Sequence, residues 1–457
     1  MSTIVAISTA TSNGGIGIIR MSGKNCFNIL NKIFVPINKK EDEIKGYTMK
    51  FGYIINPKTN EKIDEVLVSF FISPKSYTTE NMCEINSHGG IVVEKRILQL
   101  CLENGAELAE PGEFTKRAFL NGRIDLAQAE SVIELINSKS DNEAKASINQ
   151  LEGNLSKKIH SIRDKLLDLM ADIEANIDYP EYDIEETTNS KIKIVLDEVR
   201  KDLVGLSESF ENGKILKEGV KTIILGKPNA GKSSLLNAIL NEERAIVSEF
   251  AGTTRDTIEE FVNIQGISLK LIDTAGIRKT EDKIEEIGVK RAINLSKDAD
   301  LIIAIFDGST ALDDEDIEIL KLIENKKALI LLNKNDIGDL ELEKSEYFKN
   351  FSGNIIKISA KNGDGINSLF EKIGKMYSTK EIALNDGIII TNIRHKNQVD
   401  KAIASVEQAI IANDGGLPID IVSIPIKQIL SDLSAITGED VSEDIINEIF
   451  SKFCLGK

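Results

Sequence analysis

The chain has 457 residues, room for roughly three domains at the usual ratio of about 150 residues each. Hydrophobic residues make up 41% and charged residues 28%, which excludes disordered and collagen-like classes. Lysine and arginine number 56 against 73 acidic residues, and a net charge of −17 argues against a protein that coats nucleic acid. The charge is uneven: residues 1–118 hold 14 basic and 13 acidic groups, while the remainder, with 42 basic and 60 acidic, carries −18. No apolar run reaches the roughly 18 residues of a membrane span, and the N-terminus has no basic segment before a long apolar stretch. Cys26, Cys83, Cys101 and Cys454 lack metal-ligand spacing, and His88, His160 and His395 form no cluster. A reduced, cytoplasmic protein without a structural metal is expected.

Along the chain, residues 1–118 are short apolar runs (3–7, 15–19, 66–71) broken by turn signals, which predicts mixed β structure with some helix. From about residue 119 the period lengthens. Leu151, Leu155, Ile159, Ile162, Leu166, Leu169, Ile173 and Ile177 recur at spacings of three and four, the signature of one helical face. Pro180 sits in a polar break, and Val195, Val199, Leu203 and Leu206 resume the helical spacing. Apolar strands then alternate with helices at 222–225, 269–273, 301–307, 328–332 and 355–359, the pattern of a parallel sheet covered on both faces. Beyond about 380 the helical spacing returns in Val399, Ile403, Val406 and Ile410, and again in Leu430, Leu433 and Ile436. An α/β domain inserted into one helical domain accounts for both flanks with a single core. Two separate helical domains are the alternative.

Gly226-Lys227-Pro228-Asn229-Ala230-Gly231-Lys232-Ser233 follows a predicted strand and fits G-x-x-x-x-G-K-[ST], a loop whose backbone N–H groups wrap phosphates at a helix N-terminus. Lys232 would reach the β- and γ-phosphates and Ser233 would ligate Mg²⁺, with Asn229, Ala230, Gly231 and Ser234 completing the cradle. Asp273-Thr274-Ala275-Gly276 ends another strand; its aspartate suits the Mg²⁺ shell and Gly276 offers an N–H to the γ-phosphate. Asn333-Lys334-Asn335-Asp336 ends a third. There the Asp336 carboxylate can accept from guanine N1–H and the 2-amino group, donors that adenine lacks, a difference on the order of 10⁴-fold. Ser359-Ala360-Lys361 closes the base pocket. Four such segments in this order, each at a strand end, predict a GTP site.

In Ras the residue after the Asp-x-x-Gly glycine is a glutamine that orients water, whereas here it is Ile277. Asn229 and the segment from Ser248 to Asp256, with Phe250, Thr253 and Thr254, are the local candidates to complete the machinery. Thr254 is the expected switch I ligand of Mg²⁺, and Glu281, Asp282, Glu285 and Glu286 follow in switch II.

Together, the phosphate loop and Gly252-Thr253-Thr254-Arg255-Asp256 resemble the TrmE-Era-Der-like GTPases. Gly17-Ile18-Ile19-Arg20-Met21-Ser22-Gly23, Ser87-His88-Gly89-Gly90, Pro111-Gly112-Glu113-Phe114 through Gly122 and the terminal Phe453-Cys454-Leu455-Gly456-Lys457 narrow the resemblance, over the whole chain, to the MnmE (TrmE) tRNA modification GTPases. The resemblance implies an α/β multidomain protein: an N-terminal α+β folate-binding and dimerisation domain (1–118), a discontinuous helical domain (119–218 and 380–457) and an inserted Ras-like doubly wound G domain (219–379). It implies a homodimer and an FAD- and NADH-dependent partner of the MnmG (GidA) kind, in a heterotetramer or larger. With that partner, such proteins place an aminomethyl or carboxymethylaminomethyl group on C5 of the wobble uridine of certain tRNAs. A 5-formyl- or methylene-tetrahydrofolate supplies the one-carbon unit.

By the same resemblance Arg20, Glu84, Arg123 and Lys457 are folate positions, Arg123 standing where many relatives have lysine. Asn229, Ser248, Phe250 and Thr253 match a K⁺ cage, and Glu285 matches the residue that orients the attacking water. Cys454 lies three residues before Lys457, near the expected one-carbon donor, and is a candidate for the modification chemistry itself. A ribosome-assembly GTPase would carry a basic module after the G domain, and a membrane-remodelling GTPase a basic amphipathic helix. Neither feature stands out here.

Overall fold

The computed structural model of the chain describes residues 1–10, 14–38, 44–178, 185–241, 260–272, 299–338, 342–351, 353–377 and 388–457. It divides into two compact units, one of residues 1–133, 151–160 and 430–457, the other of residues 134–150 and 161–429.

The first unit is built on seven strands: β1 (Ile4–Ile7), β2 (Ile16–Ser22), β3 (Phe34–Pro36), β4 (Thr48–Ile55), β5 (Lys62–Phe71), β6 (Met82–His88) and β7 (Glu107–Leu108). Their order is β3-β4-β5-β6-β2-β1-β7, antiparallel except for the parallel β1–β7 pair. The alternation of the strands sends Ile19, Met21, Val66, Val68, Cys83 and Ile85 to one face. There they pack with helices α1 (Cys26–Ile33) and α2 (Ile91–Glu103), through Ile29, Leu30, Ile97 and Leu100. The β2–β6 register sets Arg20 directly opposite Glu84. Helix α3 (Glu113–Leu120) and the C-terminal helix Glu443–Ser451 share a second small core of Ala118, Ile446, Phe450 and Phe453.

The second unit holds the doubly wound sheet: β8 (Val220–Leu225), β9 (Glu260–Ile264), β10 (Ile267–Leu271), β11 (Leu301–Asp307), β12 (Ala328–Asn333) and β13 (Ile355–Lys357), ordered β13-β12-β11-β8-β10-β9. All pairs are parallel except the edge hairpin β9–β10. Ile303 and Ile305 face helices Lys232–Asn241 and Ile366–Met376 on one side; Ile302, Ala304 and Phe306 face helix Asp314–Ile323 on the other. The order of the chain reverses at β8, whose carboxyl end is therefore a crevice suited to a ligand. Two differences from the sequence reading stand out. Strand β9, at a polar edge, lacks the uninterrupted apolar run that revealed the central strands, and β13 stops at Lys357 because Ser359 bonds across the following turn to Asp364.

The long helical period contains a break. Leu151 ends one helix (Asp141–Leu151) and the next begins at Asn154, with Gly153 in the left-handed region between them at φ 80°. Leu151 continues the spacing of the next helix although it ends the previous one. Helices Glu185–Glu218 and Ile393–Asp414, one before and one after the sheet, pack on each other. Ser207–Asp400, Arg200–Glu407 and Lys193–Asp414 link them, stepping seven residues up one helix and seven down the other, so the two are antiparallel. The fold is the expected α/β multidomain arrangement, with a helical part assembled from both sides of an inserted doubly wound sheet.

Candidate functional site

The phosphate loop joins the end of β8 to a helix that opens at Lys232. Asn229 adopts φ 60° and is exposed; Gly231 adopts φ 107°. A Cβ on Gly231 would stand 2.1 Å from Asn333 Nδ2, so only glycine lets the strand-end asparagine approach. That approach is used. Asn333 Nδ2 donates to the Ala230 carbonyl at 2.8 Å, while Asn333 Oδ1 accepts from Ala360 N at 2.9 Å. One buried amide thus ties the phosphate loop, the Asn-Lys-Asn-Asp segment and the Ser-Ala-Lys turn together.

Lys232 Nζ donates to the carbonyls of Gly226 and Lys227, at 2.7 and 2.8 Å. Ser233 is half-buried and Ser234 exposed. Lys334 is strained, at φ 66°, and ion-paired to Asp307 at 2.6 Å. Burial pushes the Asp307 carboxyl up, but Lys334 and Ser309 outweigh it and hold the group below the usual range. Asp307 was not among the sequence candidates, although an acid closing an apolar strand is a legible signal. Lys227 bridges to Asp313 and Asp316, which form a capping box at the start of helix Asp314–Ile323. Asp336 and Lys361 are exposed and Ser359 and Ala360 buried. A base read by Asp336 would itself have to cover the exposed carboxylate.

A second constellation lies in the first unit. Arg20 Nε and Nη2 contact Glu84 Oε1 at 2.9 and 2.8 Å, and Nη1 donates to the Gly456 carbonyl at 3.1 Å. The guanidinium lies 5.6 Å from the ring centres of both Tyr77 and Phe114. Arg123 donates through Nη1 to the Tyr77 carbonyl at 3.1 Å and stacks on the same ring at 4.8 Å. The C-terminal residues are fixed by their backbone: Gly112 N donates to the Cys454 carbonyl, Ser8 Oγ to that of Gly456 and Phe114 N to that of Lys457. A Cβ on Gly456 would meet Ile7 O at 2.4 Å, which makes this glycine obligatory. Burial, and then the charge of Arg20, lower the pKa of Lys457. Arg20, Glu84 and Arg123, spread over about a hundred residues, and Lys457, more than three hundred residues further on, thus gather near Tyr77 and the C-terminus. Tyr77 and Ser8 carry no signal in the sequence, and Phe114 stands there only as part of a motif, because no spacing marks an aromatic residue as the surface on which two distant arginines meet.

Cys454 is exposed, whereas Cys26, Cys83 and Cys101 are buried and unbridged. Ser248, Phe250, Thr253, Thr254, Asp273, Thr274, Ala275, Gly276, Glu281, Asp282, Glu285 and Glu286 lie outside the described residues. Among the described residues no group of His, Cys, Asp or Glu could hold a metal ion, and no helix is long and apolar enough to cross a membrane.

A doubly wound sheet with a phosphate loop at its switch point, tied by one asparagine to an Asn-Lys-Asn-Asp strand end, defines a GTP-binding protein of the Ras-like class. The family model described as "MnmE helical domain" matches residues 126–454, and that described as "GTP-binding protein TrmE N-terminus" matches residues 3–123. The tRNA modification GTPase MnmE of Acetivibrio thermocellus is 50% identical over 457 residues, covering 100% of this chain and 99% of its own. Those of Clostridioides difficile and Finegoldia magna are 48% and 47% identical, covering 100% and 99% of this chain and 99% of their own. The chain belongs to the MnmE family of tRNA modification GTPases: it binds and hydrolyses GTP and acts in tRNA modification.

Proposed function

We propose that this GTPase, as a cytoplasmic homodimer with an FAD- and NADH-dependent partner of the MnmG kind, adds an aminomethyl or carboxymethylaminomethyl group to C5 of the wobble uridine of certain tRNAs. The one-carbon unit comes from a 5-formyl- or methylene-tetrahydrofolate held by residues 1–118, Arg123 and the C-terminus. Residues 119–218 and 380–457 form the helical domain and 219–379 the G domain.

The observation that supports this reading best is the Arg20, Glu84, Arg123 and Lys457 constellation. Arg20 is paired with Glu84, Arg123 lies on the shared Tyr77 ring, and burial and then the charge of Arg20 lower the pKa of Lys457, so a bound anion would find positive charge gathered there. A folate fits this donor set. Its glutamyl tail carries two carboxylates for guanidinium and ammonium groups, and its pterin edge can hydrogen-bond to Glu84.

At the nucleotide, the P-loop N–H groups and Lys232 hold the phosphates, and Ser233, Thr254 and Asp273 supply hard oxygen donors suited to Mg²⁺. Asn229, with Ser248, Phe250 and Thr253, supplies oxygens for K⁺, whose charge offsets that developing on the phosphates. Glu285 orients the attacking water, a task Ile277 cannot perform. Cys454, exposed beside the folate residues, assists the modification and not the hydrolysis.

Two measurements test the reading. Replacing K⁺ by Na⁺ should slow GTP turnover on the order of 10-fold or more, and equal rates would refute the K⁺ site. Nucleoside analysis of tRNA should show unmodified wobble uridines in cells lacking the protein or carrying Cys454→Ser, with the serine variant keeping its GTPase rate. Full modification by Cys454→Ser would reduce the thiol to a bystander.

A further inference from the structure

The ring of Tyr77 occupies a position shared by two groups that are far apart in sequence. Arg20 lies 5.6 Å from the ring centre, and Arg123 lies 4.8 Å from it and also binds the Tyr77 carbonyl at 3.1 Å. The ring is not free to turn. Its hydroxyl is 2.9 Å from Thr115 Oγ1, and its body packs on the core of Ile4, Ala6, Ala109 and Phe114. The neighbours of Tyr77 are anchored as well. Thr78 Oγ1 lies 2.7 Å from Ser22 Oγ, and Glu80 accepts from the buried Arg117 at 3.2 Å. Thr79, between them, takes φ 62°, a conformation β-branched residues rarely hold unless the surroundings impose it.

We propose that Tyr77 is the positioning residue of the folate site, fixing the directions in which Arg20 and Arg123 present their guanidinium groups. The physical argument is orientation. A long arginine side chain samples many rotamers, and ordering it on binding costs affinity. A rigid aromatic face that attracts each cation removes that disorder before the ligand arrives. Arg123 depends on Tyr77 most, because the described contacts of its guanidinium are the Tyr77 ring and carbonyl. Arg20 has Glu84, Gly456 and Phe114 besides. Tyr77 thereby acts through the two arginines.

The inference rests on the tetrahydrofolate reading, and one experiment separates the two. The full-length protein is titrated with 5-formyltetrahydrofolate as wild type, Arg20→Met, Tyr77→Phe, Tyr77→Leu, Arg123→Gln and the Tyr77→Leu/Arg123→Gln double variant. Circular dichroism and thermal unfolding are followed in parallel as a measure of intact fold. Tyr77→Leu should weaken binding on the order of 10-fold, the scale of one to two lost cation–π contacts. Tyr77→Phe, which keeps the ring and loses only the hydroxyl contact, should stay within about 3-fold of wild type on the same scale. The double variant should lose clearly less than the sum of the two single losses, since groups acting through one another are not additive. Additive losses, or a Tyr77→Leu protein that binds as wild type while Arg20→Met does not, would overturn the role of Tyr77 and leave the folate site standing. A wild-type protein that takes up no 5-formyltetrahydrofolate would overturn both.

Discussion

The His88 ring is held by one carboxylate in two ways. Nδ1 lies 2.7 Å from Asp64 Oδ1, and the backbone N–H of His88 donates to Asp64 Oδ2 at 2.8 Å. The hydrogen bond to Asp64 and then its charge raise the pKa of the exposed imidazole above 6.5. A group whose folded pKa is raised stabilises the fold below its unfolded value and loses that contribution as pH rises through the folded one. The His88 resonance should therefore titrate with a midpoint above 6.5, and Asp64→Asn should return it to the ordinary value. An unchanged midpoint in Asp64→Asn would show that the pair does not persist in solution. Such pairs also mark how far the sequence can be read at the scale of single residues. Ser87-His88-Gly89-Gly90 stood out as a motif, but the partner Asp64 did not, because the β5–β6 pairing that unites them is a property of register.

Elements are where the sequence is most legible. The apolar run Leu301–Asp307 is buried on both faces, and a covered parallel strand has that composition. The phosphate loop, Asn333–Asp336 and Ser359–Lys361 were readable because each is a short chemical pattern at a strand end. What joins them was not readable, since Asn333 reaches Ala230 and Ala360 only through the β8-β11-β12-β13 order. That junction makes a sharp prediction. Gly231→Ala places a methyl group at 2.1 Å from Asn333 Nδ2, on a backbone held at φ 107°. Either Asn333 withdraws and releases both loops, or the phosphate loop shifts. GTP affinity should fall by more than about 10-fold with the circular dichroism spectrum retained, since a displaced buried hydrogen bond is of that size. Near-normal affinity would mean that the asparagine tie does not shape the site.

For the whole molecule the balance of charge is a liability, since −17 favours expansion by self-repulsion. A buried carboxylate adds to it. Ser140-Asp141-Asn142-Glu143 has the capping-box pattern that starts a helix, and the structure uses a shifted form of it: Ser140 Oγ accepts from Glu143 N at 3.2 Å, while Glu143 Oε2 accepts from the N–H of Lys139, one residue before the cap, at 2.6 Å. The cap buries the acid. Burial raises the Glu143 pKa from 4.5 to about 6, with the nearby Glu134 adding to the rise and the bond to Lys139 N opposing it. Between those two values the folded protein binds more protons at this site than the unfolded chain, so stability falls as pH rises from about 4.5 to about 6 and stays lower above it. Glu143→Gln keeps an acceptor for Lys139 N while removing the charge. It should raise the thermal midpoint at pH 7.5, by an amount on the order of 1 kcal/mol in stability, and have little effect at pH 4.5. If the variant melts lower than wild type at pH 7.5, the charged carboxylate strengthens the helix cap by more than its burial costs.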